Sequence, residues 1–268
     1  MNAAWDKTRE AMLAEGGPLA AQARLRSVSG PGAASFLTLP TQQDHHVEDN
    51  LFRAAVVRRL GGAVRPRDGA NATCSLVSRE GRCSAPLAGG VHAHLCKCGG
   101  FVVRRHDRIV QWLVEWLADG RADSEVLAEQ AVPSQEFPDG RLDVTFDHEG
   151  TRVWIDVAVV TVATSNAREA RRRARTDGTA ARDEEVSKRS RYMGLATPFV
   201  VEAHGRPGEC ARAIIGKFAQ DKGSGVSADM AAAWQAISAI VQSGSAELEL
   251  RANGWTPAER GQAAFTFT

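Results

Sequence analysis

Hydrophobic periodicity divides the chain into helical and extended segments. Apolar residues at helical spacing, together with charged stretches of helix-forming residues, predict the helices; alternating or continuous runs of β-branched residues predict the strands. The predicted helices cover residues 3–14, 47–60, 105–118, 166–192 with a break near Gly178, 209–219 and 228–241, and the predicted strands cover 125–132, 141–147, 152–162 and 198–203. The rest of the first forty residues is interpreted as a linker or as the remnant of a larger protein. This order predicts an α/β fold with a mixed central sheet flanked by helices.

Two aspartates lie on the strands of a predicted hairpin. Residues 147–150 have turn chemistry, so strands 141–147 and 152–162 are expected to pair, with Asp143 on one and Asp156 on the other. A carboxylate is costly to bury in so apolar a strand as 152–162, so Asp156 needs a cation or a donor nearby. Together the two acids could hold Mg²⁺ or Mn²⁺, which polarises a phosphodiester. The alternative is that both acids pair with arginines on the sheet surface.

A nuclease site of this kind also needs a basic side chain to act on the water or on the transition state. The PD-(D/E)xK nuclease pattern places a lysine two residues after the second acid, but Ala158 stands there. Lys188, on the following predicted helix, is the nearest replacement, and Tyr192 lies one turn further on the same helix face. His106 is a candidate general base, with a structural role as the alternative. Glu129 is a candidate third metal ligand.

Four of the five cysteines fall in a short window that also holds two histidines. In a reducing compartment such a cluster indicates metal ligation rather than disulfide bonding, and zinc is the metal that four S and N ligands usually select. The alternative is a group of reduced cysteines without metal. The candidate ligands are Cys74, Cys83, His92, His94, Cys96 and Cys98.

The order of these motifs resembles the restriction-like endonuclease of site-specific non-LTR retrotransposons. The matching elements are His92 to Cys96, Gly99-Gly100, Arg104-Arg105-His106-Asp107, Leu142-Asp143-Val144, Ile155 to Val160, and Lys188 with Tyr192. The resemblance covers about 74–203 and implies a restriction-endonuclease-like core, preceded by a CCHC zinc knuckle, whose lysine has moved from the strand to a following helix. It selects Cys83, His92 and Cys96 as zinc ligands. Cys74 is the first choice for the fourth, with His94 and Cys98 as alternates.

Charge and composition limit the partners that can be expected. The net charge is only +1, so DNA binding must come from local clusters such as 163–194, which holds nine Lys or Arg against five acids. The alternative there is a solvated helix with internal ion pairs. No apolar run is long enough to span a bilayer and no secretory signal is present, so the expected location is nuclear or otherwise intracellular, without membrane association.

The sequence therefore predicts four segments: a linker and helical region over 1–70, a zinc knuckle over 71–100, an endonuclease core over 101–220, and a C-terminal helix and tail over 221–268. The expected function is Mg²⁺-dependent hydrolysis of a phosphodiester in one DNA strand. DNA is the expected partner, with RNA of a parent element as a further one. The alternatives are an inactive nucleic-acid-binding remnant of a retroelement and a structure-selective nuclease of the Holliday-junction-resolvase kind.

Overall fold

The computed structural model describes residues 3–40, 45–67, 73–87, 91–119, 125–132, 140–222 and 225–267. Parts of the predicted knuckle segment, 71–72 and 88–90, lie outside these ranges. The helices are α1 (Ala3–Ala14), α2 (Leu19–Val28), α3 (Asp49–Arg59), α4 (Val91–Leu95), α5 (Phe101–Ala118), α6 (Ala167–Arg175), α7 (Thr179–Arg191), α8 (Glu209–Lys222) and α9 (Val226–Ala252). The strands are β1 (Gly62–Val64), β2 (Val77–Ser78), β3 (Gly81–Arg82), β4 (Leu127–Ala131), β5 (Arg141–His148), β6 (Thr151–Val160), β7 (Thr197–Glu202) and β8 (Phe265–Phe267). None of the described helices is long and apolar enough to cross a bilayer.

The central sheet has four strands in the order β4-β5-β6-β7. β5 pairs antiparallel with β4 and β6, whereas β7 pairs parallel with β6, so the sheet is mixed. Ile155 and Val157 of β6 pack into the main apolar core with residues of α5, α8 and α9. Asp156 alternates with them and contacts α7 instead. The predicted α/β class, with a mixed sheet flanked by helices, is confirmed.

α9 joins all parts of the fold. It contacts α3, α4, α5 and α8, which come from the other three predicted segments. The predicted helix over 228–241 is too short, because α9 continues to Ala252. The Gln-Ser-Gly-Ser run at 242–245 has low helix propensity but is almost wholly buried, and tertiary packing overrides propensity in such a position.

The structure differs from the linker interpretation of the first forty residues. Leu19–Val28 forms α2, which packs against α6. Phe36 is buried in a second apolar cluster together with residues of α3 and α9. Just beyond these residues, strand β1 pairs with β8 near the other end of the chain. The α2–α6 contact and the β1–β8 pair each join residues that are far apart in sequence. Such contacts leave no local periodicity to detect.

Gly244 allows α9 to approach α5 closely. A Cβ added there would lie 2.7 Å from Cγ and 3.0 Å from Cβ of Arg105, whereas a Cβ on Gly216, inside α8, would meet nothing within 4 Å. We expect Gly244→Ala to lower the free energy of unfolding by about 1–3 kcal/mol through overpacking. Gly216→Ala should be neutral or stabilising by up to about 1 kcal/mol. Denaturant unfolding of both variants checks this, and equal effects would argue against the close contact.

Candidate active site and metal centre

The antiparallel ladder between β5 and β6 ends at the predicted acidic pair. The last paired residues at this end are Val144 and Ile155, and Asp143 and Asp156 are the next residues on each strand. The backbone N–H of Val157 donates to Asp143 Oδ2 at 2.6 Å. The two carboxyl groups are close enough for the charge of Asp143 to raise the pKa of Asp156. The structure therefore brings both predicted acids together.

Lys188 reaches this pair from α7. Gly178, in the left-handed region with φ of 66°, separates α6 from α7, as the predicted break requires, and α7 then packs along β6 and β7. Lys188 Nζ lies 2.6 Å from Asp156 Oδ1, and both side chains are about 10% exposed or less. Burial and the neighbouring Asp143 raise the pKa of Asp156, whereas Lys188 opposes that rise. No hydrogen-bond donor among the described residues reaches the buried Oδ2 of Asp156.

His106, near the start of α5, contacts the other acid. Its Nε2 lies 3.2 Å from Asp143 Oδ2 and its Nδ1 lies 3.0 Å from Asp107 Oδ1. Burial by itself would lower the pKa of His106, but the two carboxylates outweigh it and raise the pKa to about 9. The same contact helps to lower the pKa of Asp143 against the effect of its own burial. This raised pKa favours a charged His106 that donates to Asp143 at neutral pH, and the general-base role of His106 stays a prediction.

Of the two other predicted site residues, Tyr192 lies beside the two aspartates and Glu129 does not join them. Tyr192 is buried at the end of α7, and its hydroxyl donates to the carbonyl of Arg141 at 3.4 Å. Burial raises the pKa of Tyr192, and the charges of both aspartates raise it further, so the phenol borders the site. Glu129 has a positive φ of 50° on β4, and its largely exposed carboxylate lies 3.4 Å from Arg141. The structure does not bring Glu129 into a common cluster with the aspartates.

The first-choice zinc ligands meet in one cluster. Ligand atoms of Cys74, Cys83, His92 and Cys96 all lie within 4.8 Å of one another, and this is the one group of three or more such residues in the described ranges. The sulfurs of Cys74 and Cys96 are 3.8 Å apart. Tetrahedral zinc with bonds of about 2.3 Å separates two sulfurs by about 3.8 Å. The cluster could therefore bind a metal ion such as zinc.

The remaining contacts in the cluster give its thiols different pKa values. Cys83 Sγ lies 3.1 Å from His92 Nε2. A hydrogen bond from the backbone of Ala85, with contributions from Cys96 and His92, lowers the pKa of Cys83 to about 7, whereas burial raises that of Cys96 to about 12. The two alternates lie outside the cluster. His94 bonds to Glu249, and Cys98 is half-buried against the apolar residues around the cluster.

Comparison with known proteins does not identify a family for this chain. No protein-family model and no curated protein matches this chain. The acidic pair and the cysteine cluster offer different kinds of donor atom. Carboxylate oxygens at Asp143 and Asp156 suit hard divalent cations, whereas sulfur and imidazole nitrogen suit zinc.

A buried polar seam connects the cysteine cluster with the start of α5. It runs along α9, where Gln242, Ser245 and Glu249 lie on one helix face. Glu249 Oε1 lies 2.9 Å from His94 Nε2 and 3.9 Å from the guanidinium of Arg58, which also donates to Gln242. Ser245 accepts a hydrogen bond of 2.9 Å from Arg105, the residue before His106. The sequence analysis missed this seam, and the i, i+3, i+7 spacing of its polar residues is the signal that could have indicated it.

Proposed function

We propose that the protein is a divalent-metal-dependent DNA endonuclease that nicks one strand and has a restriction-endonuclease-like core. The observation that carries the proposal is the convergence of Asp143, Asp156 and Lys188 from two neighbouring strands and a later helix. Burying two carboxylates in contact is costly unless positive charge offsets them. If the two acids only paired with arginines on the sheet surface, they would not need a buried lysine. The arrangement is therefore better suited to chemistry than to sheet stability.

The acidic pair fits a hard divalent cation. Asp156 Oδ2 is buried and lacks a donor among the described residues, and the contact between the two carboxyl groups is repulsive when both are ionised. Mg²⁺ or Mn²⁺ held by Asp143 and Asp156 would give the buried oxygen a positive partner and would offset the repulsion between the two carboxylates. When bound, such an ion supplies Lewis-acid polarisation of the scissile phosphate.

The other side chains have distinct roles in this proposal. Lys188 favours the ionised form of Asp156, and its ammonium group can donate to the charge that develops on the phosphate oxygens. His106 holds the Asp143 carboxylate in place as a charged donor. Tyr192 borders the acids, and the hydrogen bond from its hydroxyl to the carbonyl of Arg141 holds the phenol there. These roles need only the contacts already described.

Nicking of supercoiled plasmid tests the proposal. Wild type with Mg²⁺ or Mn²⁺ should convert supercoiled into open-circular DNA, and Asp143→Ala and Asp156→Ala should each abolish the conversion while retaining the wild-type circular dichroism spectrum. DNA binding without nicking by wild type would favour an inactive nucleic-acid-binding remnant. Nicking confined to branched substrates would favour a junction-selective nuclease. Equal nicking by wild type and both variants would reject the assignment of the acids.

We further propose that Cys74, Cys83, His92 and Cys96 bind one structural zinc ion. The cluster packs against the end of α9, since Ala252 shares its apolar surroundings and accepts a 2.8 Å hydrogen bond from Ser75. Phe101, the first residue of α5, contacts the same apolar group. These contacts favour a role in bracing the helix that carries His106.

Zinc content checks these ligands directly. We expect about one zinc per chain by elemental analysis, since four protein ligands close a structural site. Combined Cys83→Ser and His92→Ala should remove most of the zinc, because each substitution deletes a donor atom. Cys98→Ser and Cys210→Ser are matched controls that should retain it. Zinc content that follows Cys98 instead of Cys83 would show that the ligand set is wrong.

A further inference from the structure

The outer face of α6 carries a row of arginines. Arg168, Arg171 and Arg175 are all exposed. At about 100° per residue they fall within about 60° of one another around the helix. Arg172 is exposed beside them but lies 2.7 Å from Asp183. The first three residues are called the arginine face below.

The other contacts of α6 fix the orientation of this face. Ala174 is buried, and α6 packs against α2. The Asn166 side chain caps the helix by accepting from the backbone N–H groups of Arg168 and Glu169 at 3.0 and 3.1 Å. Arg173 donates to the carbonyl groups of 161, 162 and 163, and so ties α6 to the segment that follows β6. The arginine face is thus held on a rigid element that is joined to the strand of Asp156.

The members of the arginine face have no acidic partner among the described residues, in contrast to three other exposed arginines of the chain. Arg67, Arg152 and Arg182 lie 2.6, 2.8 and 3.7 Å from carboxylates. No carboxylate within the described residues lies within 4.0 Å of any member of the arginine face. Three unneutralised guanidinium groups on one side of a helix produce a local positive potential that attracts an anionic polymer.

We propose that the arginine face binds the phosphate backbone of double-stranded DNA beside the cleavage site, an inference that rests on the proposed endonuclease function. The face extends about 10 Å along the helix, which matches about three phosphates at about 3.4 Å of duplex axis per phosphate on one strand. The end of β6 lies four residues beyond Asp156, or about 13 Å at the rise of a strand. Contacts to phosphates position the duplex without selecting its sequence.

The salt dependence of DNA binding tests the proposal separately from cleavage. Binding of zinc-loaded protein to a short fluorescent duplex is measured by anisotropy without added Mg²⁺, for wild type and for the triple variant Arg168→Gln, Arg171→Gln, Arg175→Gln. Loss of three phosphate contacts should make the slope of log K against log salt concentration less negative by about 2.7. Between about 50 and about 200 mM salt, wild type should then lose about 40-fold more affinity than the variant.

Two further triple variants control for net charge and for folding. Substitution of Arg67, Arg152 and Arg182 by Gln removes the same formal charge from arginines that already have acidic partners, and should leave the slope close to that of wild type. Substitution of the arginine face by Lys keeps the charge and should also preserve the slope. An unchanged slope in the arginine-face Gln variant, while wild type binds and nicks DNA, would overturn this inference and leave the proposed function standing.

The choice of partner is tested by competition. Unlabelled duplex DNA should displace the probe from wild type better than duplex RNA of equal length, and the difference should be independent of sequence. Stronger displacement by duplex RNA would contradict the choice of DNA. Failure of wild type to bind or nick any DNA would overturn both this inference and the proposed function.

Discussion

Lys188→Met is expected to lower the rate of plasmid nicking by about 10²- to 10³-fold, the usual effect of removing one hydrogen-bond donor to the charge of a transition state. Lys188 lies 2.6 Å from Asp156, both side chains are buried, and methionine offers neither a charge nor a donor in place of the ammonium group. Its removal should also raise the pKa of Asp156 further, since Lys188 opposes the effect of burial on that carboxyl. Single-turnover nicking at saturating Mg²⁺ measures the loss.

Lys217→Met is the matched control for this substitution. It makes the same chemical change at an exposed position of α8, and its nicking rate should stay close to that of wild type. Both variants should retain the circular dichroism spectrum of wild type. A Lys188→Met protein that is folded and nicks DNA at the wild-type rate would remove Lys188 from the proposed site.

Glu249→Ala is expected to lower the free energy of unfolding by about 3–5 kcal/mol, the cost of breaking a buried ion pair by removing one partner. Glu249 is the acidic partner of both His94 and Arg58, whose side chains are 7% and 6% exposed. Without it, the Arg58 guanidinium stays buried beside Gln242 with no carboxylate. For a chain of this size the melting temperature should fall by about 6–20 °C, as scanning calorimetry can measure.

Glu247→Ala provides the comparison on the same helix. Glu247 is more exposed than Glu249, and its carboxylate lies 4.0 Å from the half-exposed Arg108. An ion pair of this kind contributes about 0–1 kcal/mol, so this variant should melt close to wild type. Equal destabilisation by the two substitutions would mean that the seam along α9 does not hold the fold together.

Local sequence patterns were sufficient to predict the β5–β6 hairpin and most of α5. The apolar run of β6 and the turn at 147–150 predict the hairpin that the structure contains, and the helical spacing over 105–118 predicts most of α5. The helix actually begins at Phe101, directly after Gly100 in the left-handed region. α2 and the β1–β8 pair could not be predicted, because their stability comes from long-range packing rather than from their own periodicity.

The acidic site and the cysteine cluster show the same contrast between local patterns, which the sequence reveals, and long-range contacts, which it does not. Asp143 and Asp156 could be paired from the sequence because hairpin strands are adjacent, and Lys188 because the following helix had to return across the sheet. The cysteine cluster could be selected from spacing and resemblance, since most of its residues lie close together in the chain. Glu249 could not be connected with His94, because 155 residues separate them. A contact of that kind depends on how α9 crosses the whole fold.

Metal binding by the acidic pair tests the central claim most directly, because it requires no knowledge of the DNA target. Zinc-loaded protein is titrated with Mn²⁺, and free Mn²⁺ is followed by electron paramagnetic resonance, for wild type, Asp156→Asn and the control Asp147→Asn. Wild type and Asp147→Asn should bind Mn²⁺ alike, and Asp156→Asn should lose that binding. Identical Mn²⁺ binding by wild type and Asp156→Asn would contradict the account.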